Sequence, residues 1–220
     1  AGPLSALSVN AGFVKWDRSK TSNGFSTPAS DPAAHSAAIL DDLLKDRGLA
    51  IRRPAQGGIV PRDANVELAR VESPPVRDIV TQMLVGSDNT TAELLIKALA
   101  ATQAPPGTSV GGTIVLLGAL EENGHISRGV VVRDGSGLDP GNLVTCRLMT
   151  DILEDAEHGV DLVETLPVAG RSGTLRNRLI GTSAEGRMRA KTGSLRGVVS
   201  LAGVVETLAG RTLAFSVLTN

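Results

Sequence analysis

Within Arg189-Ala190-Lys191-Thr192-Gly193-Ser194, the last four residues set one cation, two hydroxyls and a position without a side chain side by side. An alternating apolar run follows: Val198, Val199, Leu201, Ala202, Val204 and Val205. At the end of a strand such a set binds anions. Lys191 brings a point charge, Thr192 and Ser194 bring hydroxyl donors, and Gly193 leaves room for a ligand along the strand edge. Taken alone, the same letters also describe a solvated lysine entering an edge strand. A second polar triplet, Ser87-Asp88-Asn89, falls between two stretches of helical periodicity. A tight connection between two buried helices is a rigid place from which to present side chains.

Other chemistries fail on the letters. His35, His125 and His158 are dispersed and form no H-E-x-x-H pattern, and Cys146 is the single cysteine. No metal, no other cofactor and no internal disulfide is therefore expected. The G-x-S-x-G elbow is absent, since Gly135-Ser136-Gly137 and Arg171-Ser172-Gly173 lack its second spacing. A phosphate loop ending at Lys191-Thr192 would need glycine where Glu185 and Ala190 stand. One Trp, three Phe and no Tyr leave little to stack on bases, so no nucleic-acid partner is expected. No apolar run approaches the roughly 20 residues of a transmembrane helix, and Ala1-Gly2-Pro3-Leu4 does not open a signal peptide. From residue 166 onward there are eight Lys and Arg against two Asp and Glu, an excess on the Lys191 side that steers anions.

The elements that must hold these groups are readable in order. Residues 5 to 16 suggest one or two short strands, and Asp17 to Asp31 a long polar loop. Ser30 or Asp31 should cap a helix carrying Ala33, Ala37, Leu40 and Leu44 on one stripe and stopping at Gly48. A short strand is expected near Glu67 to Val71. Ser73 should then cap a helix ending at Gly86, and helices are expected over 90–102, from 107–109 to 123, over 145–157 and over 160–166. Gly129 to Arg133 reads as a strand, Asp134-Gly135-Ser136-Gly137-Leu138 as a loop, and Leu175 to Leu179 as a short helical piece. Strands at about 187–192, 197–206 and 211–219 close the chain as an antiparallel meander. Helices followed by a meander give an α+β fold, helices packed on an antiparallel sheet. Three strands make a thin sheet, so the fold is expected to be incomplete within these 220 residues.

S-x-N followed by K-T-G is the pairing found, together with a nucleophilic S-x-x-K, in penicillin-recognising serine enzymes. Five segments resemble the D-alanyl-D-alanine carboxypeptidases of the penicillin-binding-protein-4 type: Ser87-Asp88-Asn89 with Ala92-Glu93-Leu94-Leu95, Asp134 to Leu138, Gly173-Thr174-Leu175, Ala190 to Leu195, and Leu201-Ala202-Gly203. The resemblance covers about residues 70 to 220, and Ser5 to Asn10 is similar to the family's return from its inserted domains. It implies a β-lactamase/transpeptidase-like fold, with 1–30 as the return segment and 31–220 as the C-terminal part of the catalytic domain. It also implies hydrolysis of the terminal D-Ala-D-Ala bond, or of peptide cross-links, through a serine acyl-enzyme, and acylation by β-lactams. The partners implied are the peptidoglycan stem peptide and β-lactams, and the compartment is the periplasm or cell envelope. Catalytic roles fall on Ser87 as proton relay, Asn89 as contact to the substrate amide, Lys191, and the Ser194 N–H as oxyanion donor. Thr192, Gly193, Arg196, Asp134 and Ser136 are the expected substrate-binding positions.

One departure is large. None of Lys15, Lys20, Lys45, Lys97 and Lys191 has a serine three residues before it, so no S-x-x-K is present. The nucleophile and its lysine are expected from a missing N-terminal part of the same enzyme, and this chain alone is expected to be inactive. The alternative is a truncated relative that binds stem peptides without cutting them; a class A β-lactamase fits the Asp134 and Gly173 loops less well. In addition, Asp139-Pro140 stands where the family often has Ser-Arg.

Overall fold

The computed structural model describes residues 3–14, 27–61, 67–125, 128–155 and 159–219. Trp16, Lys15, Lys20, His158 and most of the 17–31 loop lie outside the described residues. The chain divides into two compact units, Ala1–Glu72 and Ser73–Asn220. The boundary expected at residue 30 concerns inserted domains and is separate from this division.

In the first unit, helix α1 (Pro32–Lys45) starts where the Asp31 carboxylate accepts the Ala34 N–H at 2.9 Å and Pro32 presets the first turn. The short strands expected before it reduce to a 3-10 turn at Asn10–Gly12 and a single bridge between Phe13 and Pro28. No strand forms at 67–71. Leu68 and Val71 there are 93% and 95% exposed, so no neighbouring strand or helix rewards an extended pairing.

The second unit carries α2 (Val76–Gly86), α3 (Asn89–Gln103), α4 (Ser109–Glu122), α5 (Cys146–Glu154) and α6 (Gly159–Thr165). These are followed by β1 (Met188–Leu195), β2 (Val198–Glu206) and β3 (Thr212–Thr219). Ser73 does not cap α2, contrary to expectation; Pro75 stands at the N-cap. A Ser73 cap would need Pro74 to be helical, but the residue before a proline is pushed out of the α region, and Pro75 itself is extended at ψ 147°. Thr108 caps α4 and Thr145 caps α5, the latter accepting from Leu148 N–H at 3.1 Å. The strand expected at 129–133 is a single bridge, Val131 to Leu143, because the chain turns back within the 134–142 loop. The helical piece expected at 175–179 is instead a 3-10 turn at Gly173–Leu175.

The sheet runs β1-β2-β3, all antiparallel, with Lys191 opposite Ala202 and Val204 opposite Ala214. Side chains alternate faces, so Arg189, Lys191 and Gly193 share a face with Ser200, Ala202 and Val204. That face takes the helices: Ala202 and Val204 pack with Leu153 of α5 and with Leu166, and with Leu84, Met149, Leu162 and Val163 around them. Each buried leucine there contributes about 1.5 to 3 kcal/mol relative to exposure. The other face carries Val199, Leu213 and Val217, each about half exposed.

Candidate active site

Strand β1 has two kinds of edge. Ala190 N–H donates to Pro167 O at 3.0 Å and Met188 O accepts from Ala169 N–H at 2.9 Å, so the even-numbered residues direct their backbone groups away from β2. Continuing that alternation, the N–H groups of Thr192 and Ser194 point off the sheet, past the stretch the 167–169 segment covers. The open edge therefore begins at the Lys-Thr-Gly triplet.

Lys191, on the helix-bearing face, reaches the corner between α2 and α3. Its Nζ donates to Ser87 Oγ at 2.9 Å and to Thr192 O at 2.7 Å. An ammonium has three N–H donors, so one stays available for an anion. Burial pushes the Lys191 ammonium below its ordinary value. The corner itself is tight. Ser87 has φ 54° and ψ 48°, the left-handed region, which costs a residue with a Cβ about 1 to 2 kcal/mol. Asp88 then caps α3, its carboxylate accepting Thr90 N–H at 2.9 Å and the Thr91 hydroxyl at 2.7 Å. Asn89 is thereby the first residue of α3, half-buried.

At Gly193 the strands also pass closely: a Cβ there would stand against Ser200 Oγ, its direct partner on β2, and that hydroxyl would have to turn away. Gly173, at φ 55°, brings its loop against the end of α2, where a Cβ would stand 2.5 Å from Val85 O. Leu175 is fully buried behind it. Between these anchors Thr174 projects to Thr192, the two hydroxyl oxygens 2.9 Å apart. Sequence reasoning placed Gly173-Thr174-Leu175 in a motif but gave Thr174 no role.

Glu93 was missed in the same way. Four residues on from Asn89, it lies on the same side of α3. Its Oε1 accepts the N–H of Gly135 at 3.0 Å and of Ser136 at 2.9 Å, which fixes the 134–138 loop to that helix. The Asp134 carboxylate is occupied within its own loop, by Asn142 Nδ2 at 2.8 Å and the N–H groups of Gly137 and Asp139 at 2.7 Å. Burial pushes that carboxyl up, but the hydrogen bonds from Asn142, Asp139, Gly137 and Leu138 outweigh it and hold it below the usual range. The Ser136 hydroxyl stands 3.4 Å from Asp134. Ser194 is exposed on β1, and Arg196 is exposed in the two-residue turn to β2. The structure thus joins Ser87, Lys191, Thr192 and Thr174 in one cluster and ties Asp134 and Ser136 to α3 beside it. Among the described residues no group of three His, Cys, Asp or Glu side chains could hold a metal ion.

Known proteins are similar to this chain in sequence and in fold. The D-alanyl-D-alanine carboxypeptidase of Actinomadura sp. (strain R39) is 37% identical over 201 residues, covering 86% of this chain and 37% of that protein. The D-alanyl-D-alanine carboxypeptidase DacB of Haemophilus influenzae is 32% identical over 205 residues, covering 87% of this chain and 41% of its own length. Crystal structures of penicillin binding protein 4 (dacB) from that organism superpose with a TM-score of 0.72 at 30% identity, over 88% of this chain and 44% of that one. With a novel β-lactam bound to that protein the TM-score is 0.70. The chain spans about two fifths of the length of these relatives. Residues 12–220 match the D-Ala-D-Ala carboxypeptidase 3 (S13) family, and the chain belongs to it.

Proposed function

We propose that this chain forms two walls of a serine acyl-enzyme site that hydrolyses the terminal D-Ala-D-Ala bond, or a peptide cross-link, of peptidoglycan outside the cytoplasm. The observation that carries the reading is the Lys191–Ser87 hydrogen bond, which fastens the Lys-Thr-Gly strand to the Ser-x-Asn corner. The nucleophilic serine and its lysine base come from a segment outside these residues, since no lysine here follows a serine at the required spacing. Within that reading the chemistry distributes over the chain's own groups. The stem peptide lies along the open edge of β1. Its scissile carbonyl oxygen takes the N–H of Ser194, its C-terminal carboxylate takes the Thr192 hydroxyl and the free donor of Lys191, and Asn89 contacts its amide.

Ser87 accepts from Lys191, so its own hydroxyl proton remains to be donated. As the acyl-enzyme forms and the scissile C–N bond breaks, that proton passes to the leaving amine, and Lys191 replaces it. Burial of Lys191 favours the transfer, because it makes the ammonium a readier acid than a solvated lysine. β-Lactams would be attacked in the same pose, their carboxylate in the Lys191–Thr192 position. Gly193 lets the strand pass Ser200, Asp134 and Ser136 shape the loop beside α3, and Arg196 meets a more distant substrate group.

Intact mass of the full-length protein and of this chain, each treated with a labelled penicillin, tests the reading. A single adduct on the full-length protein and none on the chain is the expected result. An adduct mapped to Ser87 of the chain would overturn it, and so would a full-length protein that takes up no penicillin and releases no D-alanine.

A further inference from the structure

We infer that Thr174 is a positioning residue for carboxylate recognition, setting the direction in which the Thr192 hydroxyl donates. The inference rests on the proposed function and adds a residue to it. Each threonine hydroxyl has one hydrogen and two acceptor positions. With the oxygens 2.9 Å apart, one of the pair must donate to the other, so the two together keep a single hydrogen for anything else. If Thr192 donates to Thr174, it can offer a carboxylate nothing but lone pairs, and the contact is repulsive. If Thr174 donates to Thr192, the Thr192 hydrogen is free for the carboxylate. The chain of two hydroxyls is then polarised in one sense, which strengthens the outer hydrogen bond. An anion on the open edge of β1 therefore selects the second arrangement.

That selection needs Thr174 to be held still, and it is. Gly173 sits in the left-handed region against Val85 O, and Leu175 on the other side is fully buried. Thr174 itself is exposed, so its hydroxyl is not committed to the core. A rigid acceptor-donor at this distance removes a rotation that a lone Thr192 would have to freeze on binding.

The test is steady-state hydrolysis by the full-length enzyme of two peptides that differ solely in the C-terminus, free carboxylate against carboxamide. Thr174→Val should lower kcat/KM about tenfold on the carboxylate peptide and less than about twofold on the carboxamide. Thr174→Ser, which restores the hydroxyl, should return the carboxylate peptide to within about twofold of wild type. The carboxamide arm and the serine variant both report a folded enzyme. Equal losses on the two peptides, no loss on either, or a serine variant as poor as valine would each overturn the inference. A wild-type enzyme inactive on both peptides would instead overturn the proposed function.

Discussion

Lys191 Nζ and Ser87 Oγ, 104 positions apart in the chain, stand 2.9 Å from each other and tie β1 to the α2–α3 corner. The ammonium is also bound to its own strand at Thr192 O, so one side chain fixes the spacing of the two motifs. In the full-length enzyme, Lys191→Ala should weaken penicillin acylation and peptide turnover by about 1.5 to 3 kcal/mol, the usual worth of a hydrogen bond to a charged group. That is roughly a 10- to 150-fold loss in kcat/KM. The fold should persist, since Ala202 and Val204 keep their packing against Leu153 and Leu166. Wild-type acylation kinetics in a folded Lys191→Ala variant would remove the lysine from the site.

Ser87 occupies a backbone conformation that a serine adopts at a cost. Glycine relieves that strain while alanine keeps it, and both remove the hydroxyl. Ser87→Gly should therefore be more stable than Ser87→Ala by about 1 kcal/mol in urea unfolding, while both variants lose the relay to the leaving amine. Equal stabilities would mean that the left-handed corner carries no strain.

Much of this was legible in the letters, and the limits have physical causes. Helices with an apolar stripe and a side-chain cap, such as α1 behind Asp31 and α5 behind Thr145, could be placed within a few residues because both signals are local. The meander could be read from alternation and from the turn at Leu208-Ala209-Gly210. The α2 start was misplaced because the second proline keeps Pro74 out of the α region, which delays the first turn to Val76. Single bridges such as Val131 to Leu143 look like strands in sequence, because extended propensity does not say whether a partner follows. In the site, Ser87 and Lys191 were found through motif spacing. Thr174 and Glu93 stood in segments that were noted but received no role, since their partners, the Thr192 hydroxyl and the Gly135 and Ser136 N–H groups, are set by the folded loops and not by the letters.

Two titrating groups should each make stability rise with pH, at opposite ends of the pH range. The Asp134 carboxyl is held below its ordinary range in the fold, so its contribution is complete above that ordinary value and is lost as pH falls through the folded one. Lys191 has its ammonium disfavoured by burial; the penalty is in force below its folded pKa and is relieved as pH rises from there toward the ordinary lysine value. Thermal unfolding of the chain from about pH 2.5 to 10 should show Asp134→Asn flattening the acid limb and Lys191→Met flattening the alkaline rise. An unchanged acid limb in Asp134→Asn would mean that its four hydrogen bonds survive protonation. An unchanged alkaline limb in Lys191→Met would mean that Lys191 is solvated.

Arg196 bears on selectivity. Stem peptides with diaminopimelate carry a second carboxylate, and Pro140 cannot supply the cation that the wider family often places beside it. The loop around Pro140 is closed on itself, Asp139 holding Gly141 N–H at 2.7 Å, and the cation beside it, Arg133, has its Nε turned to Gly141 O at 3.3 Å. Arg196 lies three residues beyond Gly193, exposed in the turn that leaves the open edge of β1. A peptide laid along that edge would run toward it, and a guanidinium pairs a carboxylate through two parallel N–H donors where an ammonium gives a point contact. Arg196→Ala in the full-length enzyme should therefore lower kcat/KM about tenfold for a diaminopimelate peptide and leave a D-Ala-D-Ala peptide without that carboxylate within about twofold, the loss of one charged hydrogen bond on one substrate alone. Arg196→Lys should recover part of the difference. Equal losses on both peptides would assign Arg196 to general positioning of the strand, and no loss on either would return it to the solvent-exposed surface.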